Sequence, residues 1–257
     1  MIFCNLGSGS KGNSTYIQAE KGAVLVDQGF SLKNLTSRMI NSDLSPKDIS
    51  AIILTHEHSD HLHGIGILAR RYKTPIYMTE KTRLSIEESI LKNTEVVLFN
   101  SGDTIELEDM SFKTFHIPHD AADPIGIVAG FRDKKIGILT DLGTVTQSVL
   151  HHVSGLDLLF LESNHDMFML LNGPYPLRLI QRIKSRVGHL SNDQALSLFE
   201  QIPKNGKLKH LVLGHLSENN NDPQVVRESF EEQRDNYSTS YQIEIASQYK
   251  PGNIVTI

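Results

Sequence analysis

Short apolar runs alternate with longer amphipathic stretches along this chain. The short runs are rich in β-branched and aromatic residues, a pattern that predicts strands. Twelve segments have this character: TYIQA, AVLVD, AIILT, PIYMT, EVVLF, TIELE, SFKTFHI, IGIVAGF, KIGILT, LDLLFLE, HLVLG and YQIEIA. Helices are predicted between them at 62–72, 80–92, 144–153, 176–187, 191–202 and 222–235. Hairpin-like strands followed by strand and helix units occur in each half, which predicts two packed sheets with helices outside.

Polar side chains of the kinds that bind metals follow five of the predicted strands. In chain order they are Asp27, His56, His119, Asp141 and His215. Strands of one sheet share an edge, so residues at their ends lie close together. We therefore expect these side chains to converge on one site.

The densest cluster of such groups is the segment LTHEHSDHLHG at residues 54–64. His56 and His58 are separated by one residue, and Asp60 and His61 follow at the start of a predicted helix. This spacing supplies two pairs of ligands from one loop. A catalytic metal ion usually has three protein ligands and a water molecule, so each pair needs a further ligand.

The missing ligands must come from other strand ends. His119 and His215 complete the two sets, and the two oxygens of Asp141 can bridge both ions. We predict two divalent ions, Zn²⁺ or Mn²⁺, because imidazole and carboxylate suit either metal. Two such ions about 3.5 to 4 Å apart can share a hydroxide nucleophile. Five other histidines are predicted not to be ligands: His63, His116, His151, His152 and His210.

Composition narrows the possible domain organisation, kinds of metal site and location of the protein. With 257 residues, 39% of them hydrophobic, the chain can bury a large core, and without repeats or long linkers one domain over 1–257 is expected. The only cysteine, Cys4, excludes a disulfide framework and cysteine-rich zinc sites. The N-terminus lacks the pattern of a signal peptide and no apolar run approaches the roughly 18 to 20 residues that span a bilayer, so we expect a cytoplasmic protein without a membrane partner.

A net charge of −5 gives no general attraction to polyanions, so a nucleic-acid substrate requires a local basic patch. Residues 167–192 contain no acidic side chain. On the predicted helix 176–187, Arg178, Arg182 and Arg186 are spaced i, i+4, i+8 and would form one stripe. This stripe is predicted to bind the nucleic-acid backbone, with a solvated helix face as the alternative.

The ordered set of Asp27, the HxHxDH motif, His119, Asp141 and His215 resembles the metallo-β-lactamase fold superfamily over nearly the whole chain. The segments GSGSKGNS, HDAADP, ESNHD, GHLSN and GHLSENNND are most similar to its bacterial YycJ group, also called WalJ or VicX. The resemblance implies a four-layer αββα sandwich, a dinuclear centre and exonuclease activity on DNA, with RNA as the alternative substrate. It makes no prediction of the oligomeric state.

The resemblance also implies individual roles. Asp27 is expected to orient the ligand loop without binding metal. His189, in GHLS, resembles the extra histidine beside the reactive phosphate of ribonuclease Z-like enzymes, and we expect it to be catalytic together with the ligand Asp60. A helix-capping loop is the alternative for this segment. Substrate-binding residues are predicted in the GSGSKGNS loop, which can also be a simple hairpin turn, and in SNHD: Ser10, Lys11, Asn13, Asn164 and His165.

Two other functions stay open. The same ligand set resembles the hydroxyacylglutathione hydrolases, thioesterases of the glyoxalase II type. A metal-sensing or redox-sensing regulatory protein is the non-hydrolytic alternative, although a chain ending at Ile257 is expected to lack a partner domain for electrons. A β-lactamase with a cysteine ligand is not expected, since Cys4 is far from every ligand motif.

Overall fold

The computed structural model describes residues 1–203, 207–234 and 241–257. Its strands are β1 (Ile2–Gly7), β2 (Ser14–Gln18), β3 (Ala23–Val26), β4 (Ile49–Ile53), β5 (Ile76–Thr79), β6 (Val96–Phe99), β7 (Thr104–Leu107), β8 (Met110–His116), β9 (Ile125–Phe131), β10 (Lys134–Leu139), β11 (Leu158–Glu162), β12 (His210–Gly214), β13 (Gln242–Ile245) and β14 (Val255–Thr256). Its α-helices are α1 (Leu32–Ile40), α2 (Ser59–Leu62), α3 (Ile65–Tyr72), α4 (Glu80–Leu84), α5 (Glu88–Leu91), α6 (Gln147–His152), α7 (Met167–Asn172), α8 (Leu177–Ile183), α9 (Asn192–Gln201) and α10 (Pro223–Arg234).

The described strands form two seven-stranded sheets. The first has the order β14-β1-β2-β3-β4-β5-β6, and the second has the order β13-β12-β11-β10-β9-β8-β7. Strands β3 to β6 are parallel, as are β10 to β13. Strand β8 is antiparallel to β9, which is antiparallel to β10, so β8 and β10 end at the same edge. This shared edge brings the predicted strand-end residues together.

The core follows from the alternation of side chains along buried strands. In β3, Val24 and Val26 pack between the two sheets, whereas Ala23 and Leu25 belong to the cluster that packs against helices. On the second sheet, Phe160 of β11 faces the first sheet. Successive residues of a strand point to opposite faces, and helices cover both outer faces. The layers are therefore helix, sheet, sheet and helix, which confirms the predicted αββα class.

All twelve predicted strands are present, and four further elements were not predicted: β1, β14, α1 and α7. Strand β14 is only two residues long and pairs with β1 from the other end of the chain. Its formation depends on that partner, so no local pattern indicates it. The prediction of one domain over 1–257 stays a prediction.

The predicted helix 62–72 is divided, because α2 ends at Leu62 and α3 begins at Ile65. A Cβ atom on Gly64 would lie 1.9 Å from the carbonyl oxygen of Phe30. The loop after β3 therefore packs directly against the backbone at Gly64, which lies between the two helices. The predicted helix 80–92 is likewise divided into α4 and α5, and position 235 of the predicted 222–235 lies outside the described residues.

Helix α8 ends at Ile183, four residues before the predicted end. The main-chain N–H of His189 donates to the carbonyl oxygen of Ile183 at 2.8 Å, and a Cβ on Gly188 would lie 2.1 Å from the same oxygen. The chain thus folds back on the helix end. Arg186 lies beyond the helix, so the prediction of a three-arginine stripe on one helix was wrong.

Within the described residues, none of the helices combines the length and the apolar composition needed to cross a bilayer.

Candidate metal centre

Seven side chains converge at the shared edge of the two sheets and are called here the metal-ligand cluster: His56, His58, Asp60, His61, His119, Asp141 and His215. They come from the segments that follow β4, β8, β10 and β12, with Asp60 and His61 in the short helix α2. Six lie near one another in two groups of three, within which the ligand atoms are no more than 4.8 Å apart. The seventh, Asp141, lies between the groups.

The first group consists of His56, His58 and His119. The Nε2 atom of His119 lies 3.3 Å from Nδ1 of His58. The second group consists of Asp60, His61 and His215, where Oδ2 of Asp60 lies 3.4 Å from Nε2 of His61. Each group has the three protein ligands of an open metal site.

Asp141 contacts both groups with its two oxygens. Its Oδ2 atom lies 3.1 Å from Nε2 of His61. Its Oδ1 atom lies 3.5 Å from Nε2 of His215 and 3.8 Å from Nε2 of His119. The carboxylate of Asp141 therefore lies between the two groups, within reach of ligand nitrogens from both.

Three residues of the site have left-handed backbone just after a strand: Asp27 (φ 62°), Asp141 (φ 59°) and His215 (φ 55°). Non-glycine residues adopt this conformation rarely, and aspartate and histidine are enriched among those that do. Such backbone persists where the surrounding contacts impose it, and it is concentrated at functional sites. At these positions the chain turns sharply out of the strand. The side chains of Asp141 and His215 stay in the metal-ligand cluster, and that of Asp27 lies directly behind it.

Hydrogen bonds fix the orientation of four histidine rings by engaging their Nδ1 atoms. The four partners are Oγ1 of Thr55 for His56 at 3.0 Å, Oδ2 of Asp27 for His61 at 2.8 Å, the carbonyl oxygen of Gly188 for His119 at 3.1 Å, and Oε1 of Glu162 for His215 at 2.9 Å. An Nδ1–H that donates outward leaves Nε2 as the metal-binding atom, which is the usual arrangement of histidine ligands.

Buried polar atoms without a hydrogen-bond partner test whether a cation fits here. Nε2 of His56, Nε2 of His215 and Oδ2 of Asp141 are such atoms among the described residues. Buried polar groups in proteins are nearly always hydrogen-bonded or bound to metal. Together with the imidazole and carboxylate donors, these atoms fit divalent metal ions.

The electrostatics of the cluster favour charged carboxylates. Burial alone would raise the pKa of Asp141, but His215 and His61 outweigh it and hold that pKa well below its usual range. Burial alone would lower the pKa of His61, but Asp141, Asp27 and Asp60 hold it well above its usual range. Burial lowers the pKa of His56. A metal ion on His61 therefore competes with a proton that the same carboxylates stabilise.

Asp27 is buried behind the cluster. Its Oδ2 atom accepts a hydrogen bond from His61, and its Oδ1 atom accepts one from the main-chain N–H of Thr55 at 2.8 Å. Thr55 directly precedes the ligand His56. The carboxylate of Asp27 thus connects the start of the ligand loop, at Thr55, with the imidazole ring of His61. This placement suits the orienting role that the resemblance implies.

Glu162, the last residue of β11, was missed in the sequence. It is fully buried, and its Oε1 atom accepts hydrogen bonds from Nδ1 of His189 at 2.8 Å and from Nδ1 of His215 at 2.9 Å. Its Oε2 atom accepts one from the main-chain N–H of Leu142, the neighbour of Asp141. Burial would raise the pKa of Glu162, but His189 and His215 hold it at about 2, so the carboxylate is charged. The strand-end rule that found Asp141 also applies to LDLLFLE and makes Glu162 a candidate, but the rule does not indicate its contacts with the two histidines.

His189 lies on the turn between α8 and α9, outside the two groups of three, but one of its ring nitrogens is within 4.8 Å of ligand atoms of Asp141, Glu162 and His215. Its Nδ1 atom lies 3.7 Å from Oδ1 of Asp141, and its side chain is 18% exposed. Ser191, two residues later, caps α9 by accepting a hydrogen bond from the N–H of Gln194. The turn therefore caps a helix and also presents His189 to the site.

A cavity of about 210 Å³ opens on the metal-ligand cluster and is called here the active-site cavity. The described residues that line it are Ser10, His58, Asp60, Asp141, Asn164, Tyr175, Leu179, Arg182, Ile183, His189, His215, Leu216 and Ser217. Three of the predicted substrate-binding residues are among them: Ser10, Asn164 and Arg182. Asn164 also donates from its amide to the carbonyl oxygen of His215 at 2.7 Å.

The other five predicted substrate-binding residues lie outside the described lining. The ammonium group of Lys11 forms an ion pair with Glu218 at 2.7 Å. Asn13 is buried, and its amide donates to Oδ2 of Asp60 at 3.1 Å. His165 is fully buried and neither ring nitrogen has a hydrogen-bond partner, and burial lowers its pKa to about 4. The last two, Arg178 and Arg186, are exposed.

The five histidines predicted not to be ligands belong to none of the described groups that could hold a metal ion. His116, which is close to His119 in the sequence, lies at the end of β8 with its side chain 62% exposed and 3.6 Å from Asp123.

Comparison with known proteins shows the family to which the chain belongs. A family model for a β-lactamase superfamily domain matches residues 23–215. Exodeoxyribonuclease YycJ of Bacillus anthracis is 37% identical over 230 residues, which cover 88% of this chain and 86% of that protein. Exodeoxyribonuclease WalJ of Streptococcus pneumoniae is 39% identical over 220 residues, covering 84% and 81%. The solved structure of the metallo-β-lactamase fold protein YhfI from Bacillus subtilis has a TM-score of 0.71 at 17% identity and covers 98% of both chains, which shows the shared fold.

The fold and the ligand chemistry define a metal-dependent hydrolase that binds divalent metal. The chain belongs to the β-lactamase superfamily, and its similarity to YycJ and WalJ over most of its length confirms the predicted group.

Glu162→Gln is expected to lower the turnover of the metal-loaded enzyme by roughly 10- to 100-fold, the usual cost of losing a group that orients a ligand. The neutral amide replaces a charged carboxylate that accepts hydrogen bonds from His189 and His215, so the pH profile of kcat should also change. Steady-state kinetics over pH and elemental analysis of the variant measure both effects. Wild-type turnover with a wild-type pH profile would show that Glu162 has no positioning role.

Proposed function

We propose that this protein hydrolyses phosphodiester bonds in DNA as an exonuclease that uses two divalent ions. The main support for this proposal is that two groups of three ligands lie on either side of Asp141. They adjoin a cavity that His189 also lines. The names of the two exodeoxyribonuclease relatives support DNA as the substrate. Zn²⁺ and Mn²⁺ both suit this donor set.

The first group of three histidines and the second group of Asp60, His61 and His215 would each hold one ion, with Asp141 between them. When bound, such ions acidify water and stabilise the charge of the phosphate. Asp60 faces the cavity with 20% of its side chain exposed, and its pKa is held low by His61 and His215 against the effect of burial. It can therefore accept a hydrogen bond from the attacking water.

His189 is proposed to supply the proton for the leaving oxygen. Its Nδ1 atom donates to Glu162, which leaves Nε2 for the substrate. The carboxylate of Glu162 holds the ring in position through Nδ1, and the ring gives its Nε2 proton to the leaving oxygen as that oxygen departs. His189 therefore acts as a general acid, and Glu162 acts through it as a positioning residue.

Labelled oligonucleotides test the proposal directly. Single- and double-stranded DNA with 5′-phosphate or 5′-hydroxyl ends, and RNA of the same sequence, are incubated with metal-loaded protein. We expect stepwise loss of nucleotides from DNA and complete inhibition by a chelator. Hydrolysis of S-lactoylglutathione without cleavage of DNA would assign the thioesterase function instead. No hydrolysis of bis(p-nitrophenyl) phosphate with zinc, manganese or cobalt would favour a sensor.

Arg182 lines the cavity, whereas Arg178 and Arg186 do not, so their substitution is expected to affect different steps. The Nε atom of Arg182 donates to Oδ2 of Asp120 at 2.6 Å. Arg182→Gln should lower kcat/KM about 10-fold on DNA and on bis(p-nitrophenyl) phosphate alike, because a charged hydrogen-bond donor next to the reacting phosphate is lost.

The matched double variant Arg178→Gln with Arg186→Gln changes two exposed cations outside the cavity. It should weaken DNA binding only, and the slope of log K against log salt should fall by about 0.7 to 0.9 for each lost phosphate contact. Titrations at several salt concentrations measure this slope. Unchanged binding would assign both arginines to a solvated surface, and equal losses on DNA and the small diester would indicate damaged folding.

A further inference from the structure

A second cavity lies beside the active-site cavity, and Leu216 and Ser217 line both. It has a volume of about 370 Å³ and a mostly apolar lining. We call it the Tyr249 groove and define it by Leu216, Ser217, Ala246, Gln248 and Tyr249. Its size is within the range of sites for small organic groups.

The groove begins immediately beside the metal-ligand cluster. Leu216 follows the ligand His215 in the chain, and consecutive Cα atoms are about 3.8 Å apart. The wall shared by the two cavities is therefore one to two residues from a metal ligand. A group attached to a phosphate in the active-site cavity can reach the groove across this wall.

The aromatic ring of Tyr249 offers a flat face at the groove. This side chain is 65% exposed, and its hydroxyl group donates to the carboxylate of Glu218. The ammonium group of Lys11 lies 5.5 Å from the ring centroid and forms its own ion pair with Glu218. These contacts hold the ring in place and neutralise Glu218, which would otherwise repel a phosphate.

The turn that carries Tyr249 is tied to the core of the first sheet. The buried Arg38 donates from one guanidinium nitrogen to the carbonyl oxygen of Gln248 at 2.8 Å and from another to that of Leu6 at 2.7 Å. The main-chain N–H of Lys11 donates to the side-chain oxygen of Gln248 at 2.8 Å. A ring on a turn held in this way loses little conformational freedom when it binds a ligand.

We propose that the Tyr249 groove receives one nucleobase of the substrate, that of a nucleotide flanking the scissile phosphate, with Tyr249 stacked on it. This inference rests on the proposed function and specifies how the strand is recognised. An exposed aromatic ring over a mostly apolar groove favours a planar, uncharged ring as the occupant. Stacking of this kind tolerates every base, as an exonuclease requires.

Oligonucleotides with natural nucleotides, or with an abasic nucleotide on one or the other side of the scissile phosphate, test the groove. For the wild-type enzyme, the abasic nucleotide on one of these sides should lower kcat/KM by roughly 5- to 100-fold, the range for loss of one stacked base. Tyr249→Ala should cause a loss of similar size on the natural strand and should not respond further to the abasic nucleotide. Tyr249→Phe keeps the ring and should stay within about twofold of the wild type.

Three results would overturn the inference, and they are distinguishable from one another. A wild-type enzyme that degrades DNA but ignores the abasic nucleotide on both sides would reject the groove alone. A dimer that Tyr249→Ala dissociates, with no effect of the base, would assign the groove to a second copy of the chain. A wild-type enzyme that cleaves no DNA would reject the proposed substrate, and the base-binding groove with it.

Discussion

Asp141→Asn is expected to keep the fold and to lose most of the hydrolytic activity, on the order of 10²-fold or more, because a metal site supplies several kcal/mol of transition-state stabilisation. The amide has one neutral oxygen in place of the two charged oxygens that lie near His61 and His215. It therefore cannot bridge two cations. Metal content by elemental analysis should fall from about two ions per chain to about one.

The same substitution at Asp43 is a matched control. Asp43 is exposed, and its backbone is left-handed with φ 54°, close to the 59° of Asp141. Asparagine is well tolerated in this conformation, so both variants should unfold at nearly the temperature of the wild type. Wild-type turnover and full metal content in Asp141→Asn would show that the bridging role is misassigned.

His189→Ala is expected to lower the rate by about 10² to 10⁴-fold, the usual scale for loss of an acid–base group, while metal content stays unchanged. His189 lies outside the two groups of three ligands and contacts them through Glu162 and Asp141. The loss should be largest for a substrate with a poor leaving group, since a nitrophenolate needs little protonation. Rates on DNA and on bis(p-nitrophenyl) phosphate, measured with the same metal-loaded protein, give this comparison.

His116→Ala provides the control for losing an imidazole at an exposed position outside the described metal-binding groups. It should retain the wild-type rate on both substrates. If His189→Ala instead loses a metal ion, His189 is a ligand and the general-acid role is wrong. Equal losses on both substrates, with both ions retained, would indicate that His189 stabilises the phosphate charge rather than the leaving oxygen.

The position of the site could be predicted because one rule was enough. Polar residues after buried strands meet at a sheet edge, and five such residues were recognised from the sequence alone. The rule was not applied to Glu162, where the carboxylate closes the strand LDLLFLE. Nothing local separates a buried glutamate from an exposed one at a strand end. Only the two histidines that contact it, 27 and 53 residues away in the chain, show its place in the site.

The loop predicted to hold substrate shows where local reasoning fails. Lys11 and Asn13 were grouped with Ser10 because flexible glycines and polar side chains can surround an anion. In the structure, Asn13 contacts Asp60, 47 residues away, and Lys11 contacts Glu218, 207 residues away. Their partners are set by how the sheets pack, so spacing within the loop carries no information about them.

The sequence by itself indicated two packed sheets with helices outside, twelve of the fourteen described strands and the set of candidate ligands, because these depend on periodicity and on short spacings such as HxHxDH. Tertiary structure alone decided the end of α8, the separation of Arg186 from that helix and the place of Glu162 between His189 and His215. The physical reason is the same in each case. A local sequence pattern determines which face of a helix or strand is buried. Hydrogen bonds between distant segments determine where the chain turns and which side chains contact the same charged group.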